Sequence, residues 1–411
     1  MRAGGGQHRR PDPRTRVPNE MSAAPRARAL SRNVIIAAAV AAVGLLATVS
    51  LVTRGQADPD DGAVVLAPGT PRVVFAEFGL NEDQIYTAPA DAPGDRTLHA
   101  NVPHAPGWGI NPGTSAAGPL VAYTLLPEDA DPTRESPAEL WVLNVATDNL
   151  TRLARDADLL VPPVFADDGA TLLYRRSQGT RQEVVRVTVD DLTREVIHGE
   201  ETAFGLFPIG LRGAALLFAR LSTEGTDIYE VEPGAEPRFL LHASDEIARD
   251  WRISPDGGAL SFLAPVTEAE RVVYRAQVVS LDSLERVELG VPEGGTNGAT
   301  AATAATEQYS PVWTPDSSAL TVGQEAFTAE AQPAVVLGLD GTLSELSTPT
   351  FGFDVPIAWS TDGRYLAVRS FDGRNSVQPG IQRTVIVDRE GPRIAIDVPS
   401  EVIFLGWYAG A

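Results

Sequence analysis

The 411-residue chain contains no cysteine, and all 33 of its basic residues are arginine; lysine is absent. Without cysteine there is no disulfide framework, thiolate zinc site, cysteine nucleophile, iron-sulfur cluster or lipidated N-terminal cysteine. The exclusive use of arginine, with abundant Ala, Gly and Pro, fits a GC-rich bacterial coding bias and carries no chemistry of its own. Catalytic signatures are missing too: there is no G-x-S-x-G elbow, no H-E-x-x-H, no P-loop and no G-x-G-x-x-G after a strand. The five histidines, His8, His99, His104, His198 and His242, are scattered. Only His99 and His104 are close enough in sequence to approach each other across a loop, and a separately satisfied or solvated pair is the simpler expectation. No cofactor and no metal site is expected.

What is present begins with charge. The formal net charge is −21, which disfavours polyanionic partners, so the repeat region described below is not expected to bind nucleic acid. The sign is unevenly distributed. Residues 1–57 hold nine arginines against Asp12 and Glu20, a balance of +7 that leaves −28 on the remainder. Between these parts, Val34 to Thr53 runs VIIAAAVAAVGLLATVSLVT, twenty residues without a charge. As a helix it spans roughly 30 Å, about the hydrocarbon thickness of a bilayer. Eight arginines precede the run and Asp58, Asp60 and Asp61 follow it, so the positive-inside bias leaves the N-terminus cytoplasmic and exports the rest. The expected division is a basic disordered cytoplasmic tail over 1–33, a membrane-spanning signal anchor over 34–53, an acidic linker over 54–63 and a folded region over 64–411. Cleavage of the span as a signal peptide near Ala57 is the alternative, opposed by its length and by Arg54. Met21 offers a second start with the same topology.

Beyond residue 63 there is no helical periodicity. Short β-branched and aromatic runs are separated by Gly, Asp and Pro turns, the pattern of an all-β fold. The runs repeat: VFADDGATLLY (164–174), RISPDGGALSF (252–262), VWTPDSSALTV (312–322) and AWSTDGRYLAV (358–368) share one frame, with degenerate copies at 208–218, 114–123 and 68–75. The frame ends at Phe75, Tyr123, Tyr174, Phe218, Phe262, Val322 and Val368, at spacings of 48, 51, 44, 44, 60 and 46 residues. Each copy is followed by a second hairpin, such as EVVRVTVDDLTREVI (183–197) or TVIVDREGPRIAI (384–396). Four strands per period of 40–50 residues predict a seven-bladed β-propeller, with six or eight blades as alternatives. EVIFLGWYAGA (401–411) places Trp407 in register with Trp359 and Trp313. It is expected to complete the first blade beside Arg72 to Phe78, with Val64 to Ala67 competing for that slot.

The SPDG, TPDS and STDG turns followed by ALSF, ALTV and YLAV resemble the WD-like, PD40-type repeats of TolB-type β-propellers. The resemblance covers roughly 64–411 and implies an architecture, not an activity. It departs from TolB proper, because a membrane span instead of an α/β domain precedes the repeats, and no hydrolase domain is expected after them.

The turns within the hairpins are short and lie on one face. Long connections fall on the other: Leu126 to Ala138, Pro265 to Arg271, Pro292 to Gln308 and Phe371 to Gln382. Loops of variable length on a rigid face are where binding resides. The same face opens onto the central channel, and the starts of the innermost strands nominate Asp250, Trp251, Gln308, Tyr309, Asp354 and Glu401 as binding residues, against a plain ring of solvated carboxylates. Trp313, Trp359 and Trp407 are expected to pack between blades. Asp168, Asp256, Asp316 and Asp362 are expected to close their turns through side-chain hydrogen bonds. The expected function is that of a membrane-anchored extracytoplasmic module binding an envelope protein or a small ligand on the long-loop face. The alternative is a propeller hydrolase or lyase acting on an envelope carbohydrate or lactone, with Glu401, Asp354 and Asp250 at the channel mouth.

Overall fold

The computed structural model describes residues 69–115, 118–133, 135–166, 169–202, 204–268, 271–289, 307–325 and 331–409. The tail, membrane span and linker expected over 1–63, the segment Val64 to Ala67, Asp168 and most of Pro292 to Gln308 lie outside these residues. Among the described residues no helix is long and apolar enough to cross a membrane.

Twenty-eight strands form seven four-stranded antiparallel sheets among the described residues. Six are consecutive meanders. Their innermost strands are Asn111–Ser115, Val164–Phe165, Leu206–Arg212, Arg249–Ile253, Glu307–Trp313 and Phe353–Trp359, which define blades 2 to 7. Blade 1 is composite: Val402–Ala409 lies innermost, followed outwards by Pro71–Glu77, Glu82–Pro89 and Thr97–Pro103. Val402 pairs with Glu77 and Ala409 with Pro71, so a strand from the end of the sequence closes the ring. The architecture is therefore the seven-bladed propeller that the repeat spacing predicts.

The frame-ending residues explain why the ring holds together. Phe75, Tyr123, Tyr174, Phe218, Phe262, Val322 and Val368 all fall on the second strand of their blades, and all are buried. One face of each sheet meets the preceding blade and the other the following blade, so both faces need apolar residues. Seven principal apolar clusters result, one per blade junction; Val74, Ile85, Tyr123 and Leu143 join blades 1 and 2, and Tyr365, Ala367, Phe404 and Trp407 join blades 7 and 1. The tryptophans at equivalent repeat positions each donate a hydrogen bond into the preceding blade. Trp313 Nε1 reaches Arg252 O at 3.2 Å, Trp359 Nε1 reaches Thr321 Oγ1 at 2.8 Å and Trp407 Nε1 reaches Ala358 O at 3.0 Å.

The turn aspartates behave as the sequence predicts. Asp256 Oδ1 accepts from Ser254 Oγ at 2.6 Å and from Gly258 N at 3.0 Å, and Asp316 Oδ1 accepts from Thr314 Oγ1 at 2.6 Å and Ser318 N at 3.1 Å. These bonds hold both carboxyls below the usual range, Asp316 at about 2.

Six of the seven innermost strands carry a register shift against the second strand. A bulge adds twist and re-aims side chains beside the axis. In blades 5 and 6 the shift contains a left-handed residue, Asp250 at φ 58° and Ser310 at φ 43°.

Candidate functional site

The connections between the second and third strands, and those passing from an outer strand to the next inner strand, share one face of the ring. Blade 5 corrects one loop expectation: Ala259–Glu268 and Arg271–Ser280 pair along their whole length, so Pro265 to Arg271 is almost entirely a projecting hairpin. The connection Phe371 to Gln382 is a braced finger. Asp372 N donates to Ile381 O at 3.2 Å, Gly373 N to Pro379 O at 2.7 Å and Arg374 N to Gln378 O at 3.1 Å. Its tip is fixed from blade 6, where buried Glu325 accepts from Ser376 N at 2.9 Å and from the Tyr309 hydroxyl.

Beneath this face, the entry to each inner strand is pinned by the blade before it. Asp83 Oδ2 accepts from Ile110 N at 2.7 Å, Gln182 Oε1 from Leu206 N at 2.9 Å, and Thr226 Oγ1 from Ala248 N at 3.0 Å. Thr384 Oγ1 donates to Val402 O at 3.0 Å. Asp83, Gln182, Thr226 and Thr384 all stand near the start of a third strand, but three residue types fill the four positions, so no single residue marks it.

The six nominated residues divide into two groups. Gln308 belongs to the pinning system: it is buried, and its Oε1 accepts from Ala276 N of blade 5 at 2.6 Å. Asp354 is fully buried and takes two hydrogen bonds from Arg393, at 2.7 and 2.8 Å, in the junction of blades 6 and 7. Tyr309 packs on Phe353 at 5.8 Å and holds Glu325, and burial raises its hydroxyl pKa. Trp251 leans on Phe262 at 5.2 Å in the junction of blades 4 and 5. Asp250 and Glu401 are exposed, and each lies within electrostatic range of Arg369.

Arg369 and Arg252 are charged neighbours of this group that sequence reasoning passed over. Arg369 also interacts with Arg252. Arg252 belongs to the inner strand of blade 5 and Arg369 to the second strand of blade 7. Burial lowers both guanidinium pKa values. Glu401 is raised, chiefly by desolvation at the mouth, with Arg369 opposing and Asp83 reinforcing. One signal did exist: Arg252 opens a repeat frame in which the other strong copies begin with Val164, Val312 and Ala358.

A second charged group lies under the same face. His104 is buried; its Nε2–H donates to Asp83 Oδ1 at 3.0 Å and its Nδ1–H to Ala105 O at 2.9 Å. Both ring nitrogens face acceptors, the arrangement of an imidazolium. Burial alone lowers its pKa, but the bonds to Asp83 and Ala105 outweigh burial and the net shift is upward. His99 is satisfied elsewhere, between Thr87 Oγ1 at 2.8 Å and Asp148 Oδ1 at 2.5 Å. Among the described residues no three His, Asp or Glu side chains converge in a metal-binding group.

The sequence matches no protein family and no curated protein. Solved structures share its fold. The β-propeller domain of the Trilobed protease from Pyrococcus furiosus, reported to have an open velcro topology, aligns with a TM-score of 0.53 at 11% identity, over 81% of this chain and 93% of that one. A prolyl endopeptidase aligns with a TM-score of 0.52 at 15% identity, over 82% of this chain and 49% of that one. TolB from Acinetobacter baumannii aligns with a TM-score of 0.48 at 11% identity, over 82% of this chain and 66% of that one. This chain thus spans about half of the endopeptidase and just under two thirds of TolB. At such identities the likeness establishes the β-propeller fold alone.

Proposed function

We propose that this protein is a partner-binding propeller, displayed outside the cytoplasmic membrane by the apolar segment Val34 to Thr53, with the long-loop face as its docking surface. The observation that carries the reading is the placement of exposed apolar side chains. Leu80, Leu160, Phe204, Ile247, Phe351, Val377 and Ile381 all stand on connections of that face, Val377 at 85% and Phe351 at 70% exposure. On the turns of the opposite face the corresponding exposed residues are Leu192, Leu284 and Leu339. Clustered exposed apolar groups rimmed by polar residues mark interaction surfaces. The braced finger presents Val377 and Ile381 on a scaffold already ordered, which lowers the entropic cost of association.

A triple variant tests this directly. Phe351→Ser, Val377→Ser and Ile381→Ser together should leave Tm unchanged, because these side chains are solvated. In cells that make the protein natively, the variant should migrate on native gels at its own mass while the wild type migrates in a larger complex. Identical migration of the two would count against the docking face.

A further inference from the structure

On the outer rim, between blades 2 and 3, a cleft of about 450 Å³ is lined by Arg152, Ala154, Arg155 and Asp156 of the outer strand Asn149–Ala157 and by Arg194, which opens the outer strand Arg194–Glu201. Three guanidiniums thus meet in one cleft, although the sequence beyond residue 57 carries −28. Two carboxylates are near, and both are already committed. Glu139 Oε1 accepts from Arg152 Nη1 at 2.7 Å and its Oε2 from Trp141 Nε1 at 3.1 Å. Asp156 Oδ2 accepts from Arg176 Nη1 at 2.9 Å and its Oδ1 from the Tyr174 hydroxyl at 3.1 Å. Arg155 Nε lies 3.8 Å from Glu139 and Arg194 Nη1 4.0 Å from Asp156, both beyond hydrogen-bond reach. Pairing Arg152 with Glu139 and Arg176 with Asp156 therefore leaves two cations in excess. An arginine at the start of an outer strand recurs in the ring: Arg194, Arg286 and Arg393 donate to the carbonyls of Leu153, Ala243 and Ser347 in the preceding blade. Arg393 is also neutralised by Asp354 at 2.7 Å, whereas Arg194 meets two further guanidiniums.

We propose that this cleft binds a phosphate dianion, as inorganic phosphate or as the terminal group of a small monoester, through Arg152, Arg155 and Arg194. The two excess charges match a dianion. A phosphate group turns three strong acceptor oxygens in different directions, so it can engage guanidinium forks arriving from two blades, which one planar carboxylate cannot. Two of the forks are held in advance: Arg152 lies over the Trp141 ring at 5.4 Å, and Arg194 is tied to Leu153 O. Arg155, with its side chain 69% exposed, is the arm that closes on the ligand. The acidity of the rest of the ring does not oppose a ligand this small, because charges more than about 8 Å away are screened at physiological ionic strength. An extended polyanion would meet that acidic surface; a single phosphate meets only the cleft. The site does not rest on the docking reading, since it shares no residue with Phe351, Val377 or Ile381.

The test is calorimetric titration of the full chain in detergent with inorganic phosphate, glycerol phosphate and acetate, at a pH of about 8, where a phosphate monoester carries close to two charges. The proteins are the wild type, Arg155→Gln, Arg194→Gln and, as a control, Arg383→Gln, whose exposed arginine belongs to blade 7. Inorganic phosphate or glycerol phosphate should bind the wild type saturably at one site, in the millimolar range or tighter, and acetate about tenfold more weakly or not at all. Loss of one charge-assisted hydrogen-bonding fork should weaken phosphate binding about tenfold in Arg155→Gln and in Arg194→Gln, while Arg383→Gln should bind as the wild type does. Arg194→Gln also removes the bond to Leu153. Arg155→Gln breaks only a long ion pair at an exposed side chain and should keep the wild-type Tm, so it decides the matter. Phosphate affinity unchanged in Arg155→Gln would overturn the proposal. So would an absence of saturable phosphate binding, acetate binding as tight as phosphate, or an equal loss in Arg383→Gln. The triple serine variant should bind phosphate normally, so failure here and failure of the docking reading are separate results.

Discussion

Asp354 is enclosed and receives two N–H groups from Arg393, so removing it strands a guanidinium that is only 16% exposed. Asp354→Ala should therefore destabilise the protein by about 3 kcal/mol, the cost typical of breaking a buried ion pair from one side, measurable by chemical denaturation. Asp316 illustrates the opposite setting. Its carboxyl is exposed but held at about 2 by Thr314 and Ser318. A depressed folded pKa stabilises above the unfolded value near 3.8 and loses that stabilisation as pH falls towards 2. Asp316→Ala should cost about 1 kcal/mol at neutral pH after solvent screening, with the difference from wild type shrinking through that window. For His104 the sign reverses. Its pKa is raised above 6.5, so its contribution is complete below 6.5 and is lost as pH rises through the folded value. Nitrogen NMR of the ring should find its titration midpoint above that of an unperturbed histidine; a midpoint at or below it would contradict the assignment.

At the scale of the strand, the second strands were legible because their demands are simple. A position buried on every copy must be apolar, and Phe75, Tyr123, Tyr174 and Phe218 announce it at fixed spacing. The inner strands were not legible in the same way. Their bulges shift the register by a residue, and in a period-two element that moves a side chain from one face to the other. Gln308 and Asp354 stand at strand starts as Asp250 does, yet they are buried while Asp250 is exposed. No local pattern encodes that choice. Gly352 has its own requirement where the chain enters blade 7: φ is +72°, and a Cβ there would collide with the carbonyl of Phe371. Gly352→Ala should lower stability by more than about 1 kcal/mol, because both the left-handed backbone and the close approach forbid the methyl.

The described ring is a chain of junctions in which each blade buries its faces against its neighbours, so it is held by closure. The pairing of Pro71–Glu77 with Val402–Ala409 is the last link. The exposed apolar side chains on one face of this ring are the ground for the proposed docking side. This account predicts which side a partner touches. Photo-crosslinking from a benzophenone-bearing residue placed singly at 351, 377 or 381, and at 192, 284 or 339 as controls, measures it in cells that make the protein natively. Specific adducts from the first set with none from the second are the predicted result; adducts confined to 192, 284 and 339, or equal labelling from both sets, would contradict it.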